Sequence, residues 1–229
     1  MPPRHPAVLG RVAVFGGLVM AVVSAATPTQ RPTAQPADDA LPPPFPRPGA
    51  TKLFENQRVL VWDIAWLMRQ YPLHRHIYDL VGVFYAPGDR LIIERDGTRR
   101  RVSTKAWDMP FQRAGLVHKE EGTSVEPLRA VFIELKEPAA AGQLNGGTSP
   151  ASIPAFINDA LGPARVDNDR TRAWLLPADL APTLHRHALD GVVISFRAGK
   201  PSATFLTVGT VHGSEAGRDA DRAYLFELK

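Results

Sequence analysis

Apolar residues in this chain come in short, β-rich runs broken by frequent turn signals. Arg58-Val-Leu-Val-Trp62, Leu80-Val-Gly-Val-Phe-Tyr85 and Ala130-Val-Phe-Ile133 are rich in β-branched and aromatic residues and predict strands. Leu91-Ile-Ile-Glu-Arg-Asp96-Gly97-Thr-Arg-Arg-Arg-Val-Ser103 predicts two strands around an Asp-Gly turn, because that dipeptide accepts the positive φ angles of a tight hairpin. Many short strands with regular turns imply an all-β sandwich or barrel. One short helix is predicted over 153–161, with Ser152 near its cap, Pro154 in its first turn and Gly162 just past its end.

The N-terminal pattern differs. Residues 1–26 carry Arg4 and Arg11, an apolar stretch over 12–23 and the small-residue run Ser24-Ala25-Ala26, which predicts a cleaved signal peptide. The alternative is an uncleaved N-terminal membrane anchor. Either way the rest is expected in the periplasm or outside the cell, with no membrane span in the mature chain. Residues 27–50 contain eight prolines and predict a disordered, extended tether. The chain has no cysteine, so stability must come from core burial. Without Arg4 and Arg11, 25 basic residues face 23 acidic ones, and that balance does not point to nucleic acid.

The body of the chain is an internal repeat. His74, His76, Asp79 and Gly88 each recur 111 positions later as His185, His187, Asp190 and Gly199. Arg129-Ala-Val-Phe-Ile-Glu-Leu-Lys136 matches Arg222-Ala-Tyr-Leu-Phe-Glu-Leu-Lys229. The second copy lacks 17 residues between its glycine and its last histidine, where the first copy has the Asp-Gly hairpin. The second unit is therefore expected to be shallower. Apart from His5, every histidine falls into one of two triplets: His74, His76 and His118, or His185, His187 and His212. Imidazole is the commonest neutral metal ligand, so each triplet is a candidate three-nitrogen site.

These residues resemble the cupin superfamily. Its first motif runs Gly-x5-His-x-His-x(3,4)-Glu-x6-Gly and its second Gly-x5-Pro-x-Gly-x2-His-x3-Asn. His74-Arg-His76 with Gly88, and Gly115-Leu-Val-His118, are in register with them; His185-Arg-His187 with Gly199, and Gly209-Thr-Val-His212, repeat both. The chain departs from the pattern at Val81 and Val192, where the family has its glutamate, and at Arg113 and Thr207 (proline), Gly122 and Ala216 (asparagine) and Met68 (glycine).

The resemblance implies two tandem cupin-type jelly-roll barrels, a bicupin: domain 1 over 51–138, a linker with the short helix over 139–164, and a shortened domain 2 over 165–229. It also implies a divalent transition metal (Fe, Zn, Ni, Mn or Cu) on His74, His76 and His118, with His185, His187 and His212 as second-copy candidates. Without the glutamate, the ligand set carries no charge. Asp79 is open to three roles: a ligand, a hydrogen-bond partner of a ligand, or a strand cap. The expected function is a metal-dependent oxygenase, lyase or isomerase acting on a small carboxylate or enol, with Asp79 or Glu120 as general acid–base and Arg113 holding the carboxylate. The alternatives are a non-catalytic module binding metal or a small ligand, and a metal-free bicupin scaffold; a homodimer is a further expectation.

Overall fold

The computed structural model describes residues 40–136, 161–178, 184–213 and 220–229. They belong to one compact unit, Pro36–Lys229. The predicted leader, the predicted tether up to residue 39 and the predicted helix up to residue 160 lie outside the described residues. Among the described residues there is no α-helix, and no helix is long and apolar enough to cross a membrane.

The first half contains β1 (Ala50–Glu55), β2 (Val59–Trp66), β3 (His74–Arg75), β4 (Asp79–Ala86), β5 (Gly88–Glu94), β6 (Arg99–Thr104), β7 (Phe111–Gln112), β8 (Val117–Gly122) and β9 (Leu128–Leu135). The second contains β10 (Val166–Asp167), β11 (Thr171–Leu175), β12 (His185–Arg186), β13 (Asp190–Arg197), β14 (Lys200–Leu206), β15 (Val211–His212) and β16 (Arg222–Leu228). Each half has one large sheet, ordered β1-β2-β9-β4-β7 and β10-β11-β16-β13-β14, and one smaller sheet, β3-β8-β5-β6 and β12-β15. All strand pairings among the described residues are antiparallel, as an all-β jelly roll requires. The three expected strands fall on β2, β4 and β9, with Arg58 just before the start of β2.

The central strands are buried on both faces, and this explains their long apolar runs. Even-numbered positions of the first half (Trp62, Ile64, Trp66, Leu80, Phe84, Ala130, Phe132) fill the inside of its own sandwich. Odd-numbered positions (Val59, Val61, Val81, Val83, Val131, Ile133) form one continuous core with Ala173, Val192, Ile194, Phe196, Tyr224 and Phe226 of the second half. Trp174, Val193, Ala223 and Leu225 fill the second half's own interior. Strand alternation thus splits each central strand between two dry compartments.

The repeat recurs in the polar contacts that join the halves. Arg170 Nη1 pairs with Asp79 Oδ2 at 3.2 Å, and Arg58 Nη1 pairs with Asp190 Oδ2 at 3.2 Å. Each aspartate also accepts a backbone N–H within its own half, from Ala114 and from Val208, both at 2.8 Å. The loops before β2 and β11 match as well: Asn56 Oδ1 accepts from Arg58 N and Val59 N, and Asn168 Oδ1 accepts from Arg170 N and Thr171 N.

The Asp96-Gly97 hairpin forms as expected, with Gly97 at φ 90° and β5 paired with β6. In the second half β14 hairpins directly onto β13 through Ala198 and Gly199, both at positive φ, and occupies the place of the short β7. Gly88 and Gly199 therefore match in sequence but not in task. Gly199 is a turn residue in open space, whereas a Cβ on Gly88 would meet the Leu128 backbone at 2.9 Å.

One boundary needs correction. The predicted tether does not extend to residue 50. Phe45 is 5% exposed and tilted against Trp62 at 5.4 Å, and the Arg47 guanidinium lies 4.0 Å from the Tyr71 ring centre. Arg75 N donates to Pro42 O at 3.0 Å. A proline-rich composition predicts an extended chain, but Phe45 carries enough apolar surface to anchor it.

Two outcomes follow. Phe45→Ala should lower stability in urea unfolding by about 3 kcal/mol, the range for a buried phenylalanine, whereas a free tether would show no change. Asp79→Ala should cost about 3 kcal/mol because it strands Arg170 and the Ala114 N–H, while Arg113→Ala, at an exposed pair, should stay within about 1 kcal/mol.

Candidate metal centre

Backbone pairing rather than side-chain packing brings the first triad together. The two-residue strand β3 pairs with β8 so that His74 lies directly opposite His118. Gly115 sits at φ 92° and its N–H donates to His76 O at 2.7 Å, while His76 N donates to Leu116 O at 2.9 Å. A residue with a side chain is strained at that angle, so the glycine three before His118 lets the loop close on His76. The ring centres of His74, His76 and His118 lie 4.8–5.2 Å apart, and their nearest ligand atoms are all within 4.8 Å of one another.

All three rings are buried. Burial is the largest influence on each, and it pushes His76 down to about 3 and His118 down to about 4; His74 is lowered as well. All three are neutral at physiological pH, the form that binds a metal. His74 Nδ1 donates to Pro72 O at 2.9 Å, which leaves the lone pair on Nε2, and among the described residues that buried atom has no hydrogen-bond partner. Two nitrogens bound about 2.1 Å from one tetrahedral ion sit about 3.4 Å apart. His76 Nε2 and His118 Nε2 are 3.4 Å apart. The donor set fits a divalent transition ion.

The second triad repeats the construction. His185 lies opposite His212, and Gly209, at φ 82°, donates its N–H to His187 O at 2.9 Å. His187 Nε2 and His212 Nε2 are 2.7 Å apart, the distance of a direct hydrogen bond and too short for two ligands of one tetrahedral ion. His212 is half-buried, and among the described residues the smaller sheet here has two strands where the first half has four. The second site is shallower, as the missing hairpin implied.

The structure separates the other candidates. Asp79 shares a strand face with Val81 and Val83, which pack on the second half; its carboxylate is held by Ala114 N, Arg170 and Arg113, and it is not part of the histidine cluster. Of its three open roles, these contacts are those of a structural anchor. Arg113 is an exposed side chain paired with Asp79 and Asp169, not a group inside the sandwich.

Glu120 does lie beside the triad, with Oε1 3.9 Å from His118 Nε2. Its Oε2 accepts from Arg47 Nη1 at 2.7 Å and from Trp66 Nε1 at 2.9 Å, and Arg90 Nε is 3.6 Å from Oε1. Burial raises its pKa, but Arg47 and Arg90 outweigh that and hold the carboxyl well below the usual carboxylate range. Sequence reasoning missed Arg47 and Arg90. The available signal for Arg47 was an arginine two residues past an aromatic inside the proline run.

No protein-family model matches the chain, and no curated protein matches it. Among solved structures, AerE from Microcystis aeruginosa aligns over 82% of this chain and 98% of its own, at 12% identity and a TM-score of 0.51. A cupin 2 conserved barrel domain protein from Leptotrichia buccalis aligns over 79% and 88%, at 12% identity and a TM-score of 0.43. A cupin domain from Bordetella pertussis Tohama I aligns over 41% of this chain and 99% of its own, at 26% identity and a TM-score of 0.36. The alignment with AerE shows that the two chains share an all-β fold.

The buried imidazoles generate a pH prediction for chelator-treated protein. The unfolded chain protonates its histidines near pH 6.5, whereas folded His76 and His118 resist protonation until about pH 3 and about pH 4. The unfolded state therefore binds more protons, and stability should fall as pH drops from 6.5 toward 4, by about 1.4 kcal/mol per pH unit per histidine. Urea midpoints measured across that range should show this slope, and it should be shallower in His76→Gln. A flat profile in the wild type would contradict the burial.

Proposed function

We propose that this is an exported metal-binding protein whose first half holds one divalent transition ion through His74, His76 and His118. The observation that carries the reading is the convergence of three neutral buried imidazoles, with the His74 Nε2 lone pair left without a partner among the described residues. A bound ion would act as a Lewis acid toward an oxygen ligand. The imidazoles contribute no charge, so an anionic oxygen group, such as a carboxylate or enolate, is the electrostatic complement.

Glu120 supports binding better than proton transfer. It is held ionised by two arginines and engaged by the Trp66 indole, so it has no proton to donate and is a weak base. Its role in this reading is to hold the β8 end of the triad and to balance Arg47 and Arg90. The geometry thus favours capture of metal and a small anionic ligand over acid–base turnover through Glu120 or Asp79.

The test is elemental analysis of untagged protein purified without chelators. About one equivalent of transition metal is expected, lost in His76→Ala and largely kept in His187→Ala, because the second triad's nitrogens are too close to share an ion without moving apart. Full metal retention in His76→Ala would overturn the assignment to the first half.

A further inference from the structure

A cavity of about 330 Å³ opens where the two halves meet, lined by Trp107 and Asp108 of the first half and by Arg165, Leu175, Arg222 and Tyr224 of the second. None of these residues belongs to either triad. The internal repeat supplies the comparison that makes the cavity informative. In the first half Arg129 Nη2 pairs with Asp63 Oδ2 at 3.2 Å, and Asp63 stands opposite Val131 in the strand register. The matching arginine of the second half is Arg222, and the position opposite Tyr224 is Leu175. The carboxylate that satisfies one arginine has been replaced by an aliphatic side chain at the other.

Arg222 consequently faces the cavity. Its guanidinium lies 4.2 Å from the Trp107 ring centre and donates to Tyr224 Oη at 3.4 Å, which leaves the tyrosine O–H free to donate. Among the described residues, neither Arg222 nor Arg165 has a carboxylate within ion-pair reach. Asp108, the acid in the lining, accepts from Lys105 N.

Trp107 is the second unusual feature. It is 38% exposed and sits at φ 73°, where a bulky side chain is strained unless its surroundings hold it there. Its indole meets Phe196 edge-on at 5.4 Å and lies near-parallel to Tyr224 at 6.4 Å. These ring contacts hold a flat apolar surface beside two cations and a hydroxyl donor, the composition of a pocket for an amphipathic anion.

We propose that this cavity binds a small carboxylate carrying a flat, apolar body. Arg222 and Arg165 take the carboxylate, Tyr224 adds a donor, and Trp107 with Leu175 covers the apolar part. The probe is benzoate, titrated calorimetrically into the full chain, with acetate and benzyl alcohol as comparison ligands. Saturable benzoate binding is expected, at least about tenfold tighter than either comparison ligand. It should weaken about tenfold or more in Arg222→Leu, and equally in Leu175→Asp, which gives Arg222 the internal partner that Asp63 gives Arg129. Far-UV circular dichroism confirms that each variant is folded, and Leu175→Asp serves if Arg222→Leu does not fold. His76→Ala removes any carboxylate site at the metal, and the Arg222-dependent part of benzoate binding should persist in it. Four results would overturn the proposal: no saturable binding up to roughly 20 mM, unchanged binding in a folded Arg222 or Leu175 variant, equal Arg222-dependent binding of acetate, or loss of the Arg222-dependent binding in His76→Ala.

Discussion

Both faces of the central strands are dry, and most other features of the molecule follow from that condition. A strand with water on one face can place a charge there at little cost; β4, β9, β13 and β16 have almost no such face. Any polar side chain on them must find a partner within the protein or lose its hydration uncompensated. Asp79 and Asp190 meet this demand with a backbone N–H and an arginine from the opposite half. Glu134 meets it with the Trp62 indole at 2.9 Å, and burial still raises its pKa. The halves are joined by a continuous apolar core whose polar contacts recur in both copies.

The same condition shapes the triads. Imidazole can be buried because it can stay neutral, so three histidines can share an interior where three carboxylates could not. Their convergence depends on hydrogen bonds between backbone segments and on one glycine turn in each half, and so it survives in the second copy even where the covering hairpin is gone. What the second copy loses is shielding and spacing: His212 is half-buried, and His187 and His212 have closed to hydrogen-bonding distance. The second half thus keeps the backbone scaffold of the site more faithfully than its nitrogen spacing. At the junction of the halves, Arg222 faces a cavity where Arg129 has a carboxylate.

Much of the fold and the core of the candidate site were legible along the chain. The histidine triplets, the hairpin at Asp96-Gly97, the three central strands and the repeat depend on local composition and short spacing; the structure forms the hairpin and the strands and brings the histidines of each triplet together. The partners of Glu120 were not legible, because Arg47 and Arg90 lie 73 and 30 positions away and neither stands out from other arginines. Nor was the task of Asp79, whose partner Arg170 is 91 positions distant. Matching Gly88 to Gly199 misled for a related reason, since a shared register does not show what packs against a backbone.

The chain by itself thus determined which residues could serve as neutral ligands and where tight turns had to form, because φ preference and side-chain alternation act within a few residues. Tertiary structure alone decided which carboxylate met which cation, which strand face turned toward the other half, and that Phe45 and Arg47 pack into the body of the protein. Those outcomes depend on which distant segments exclude water together, and burial of that kind has no local signature.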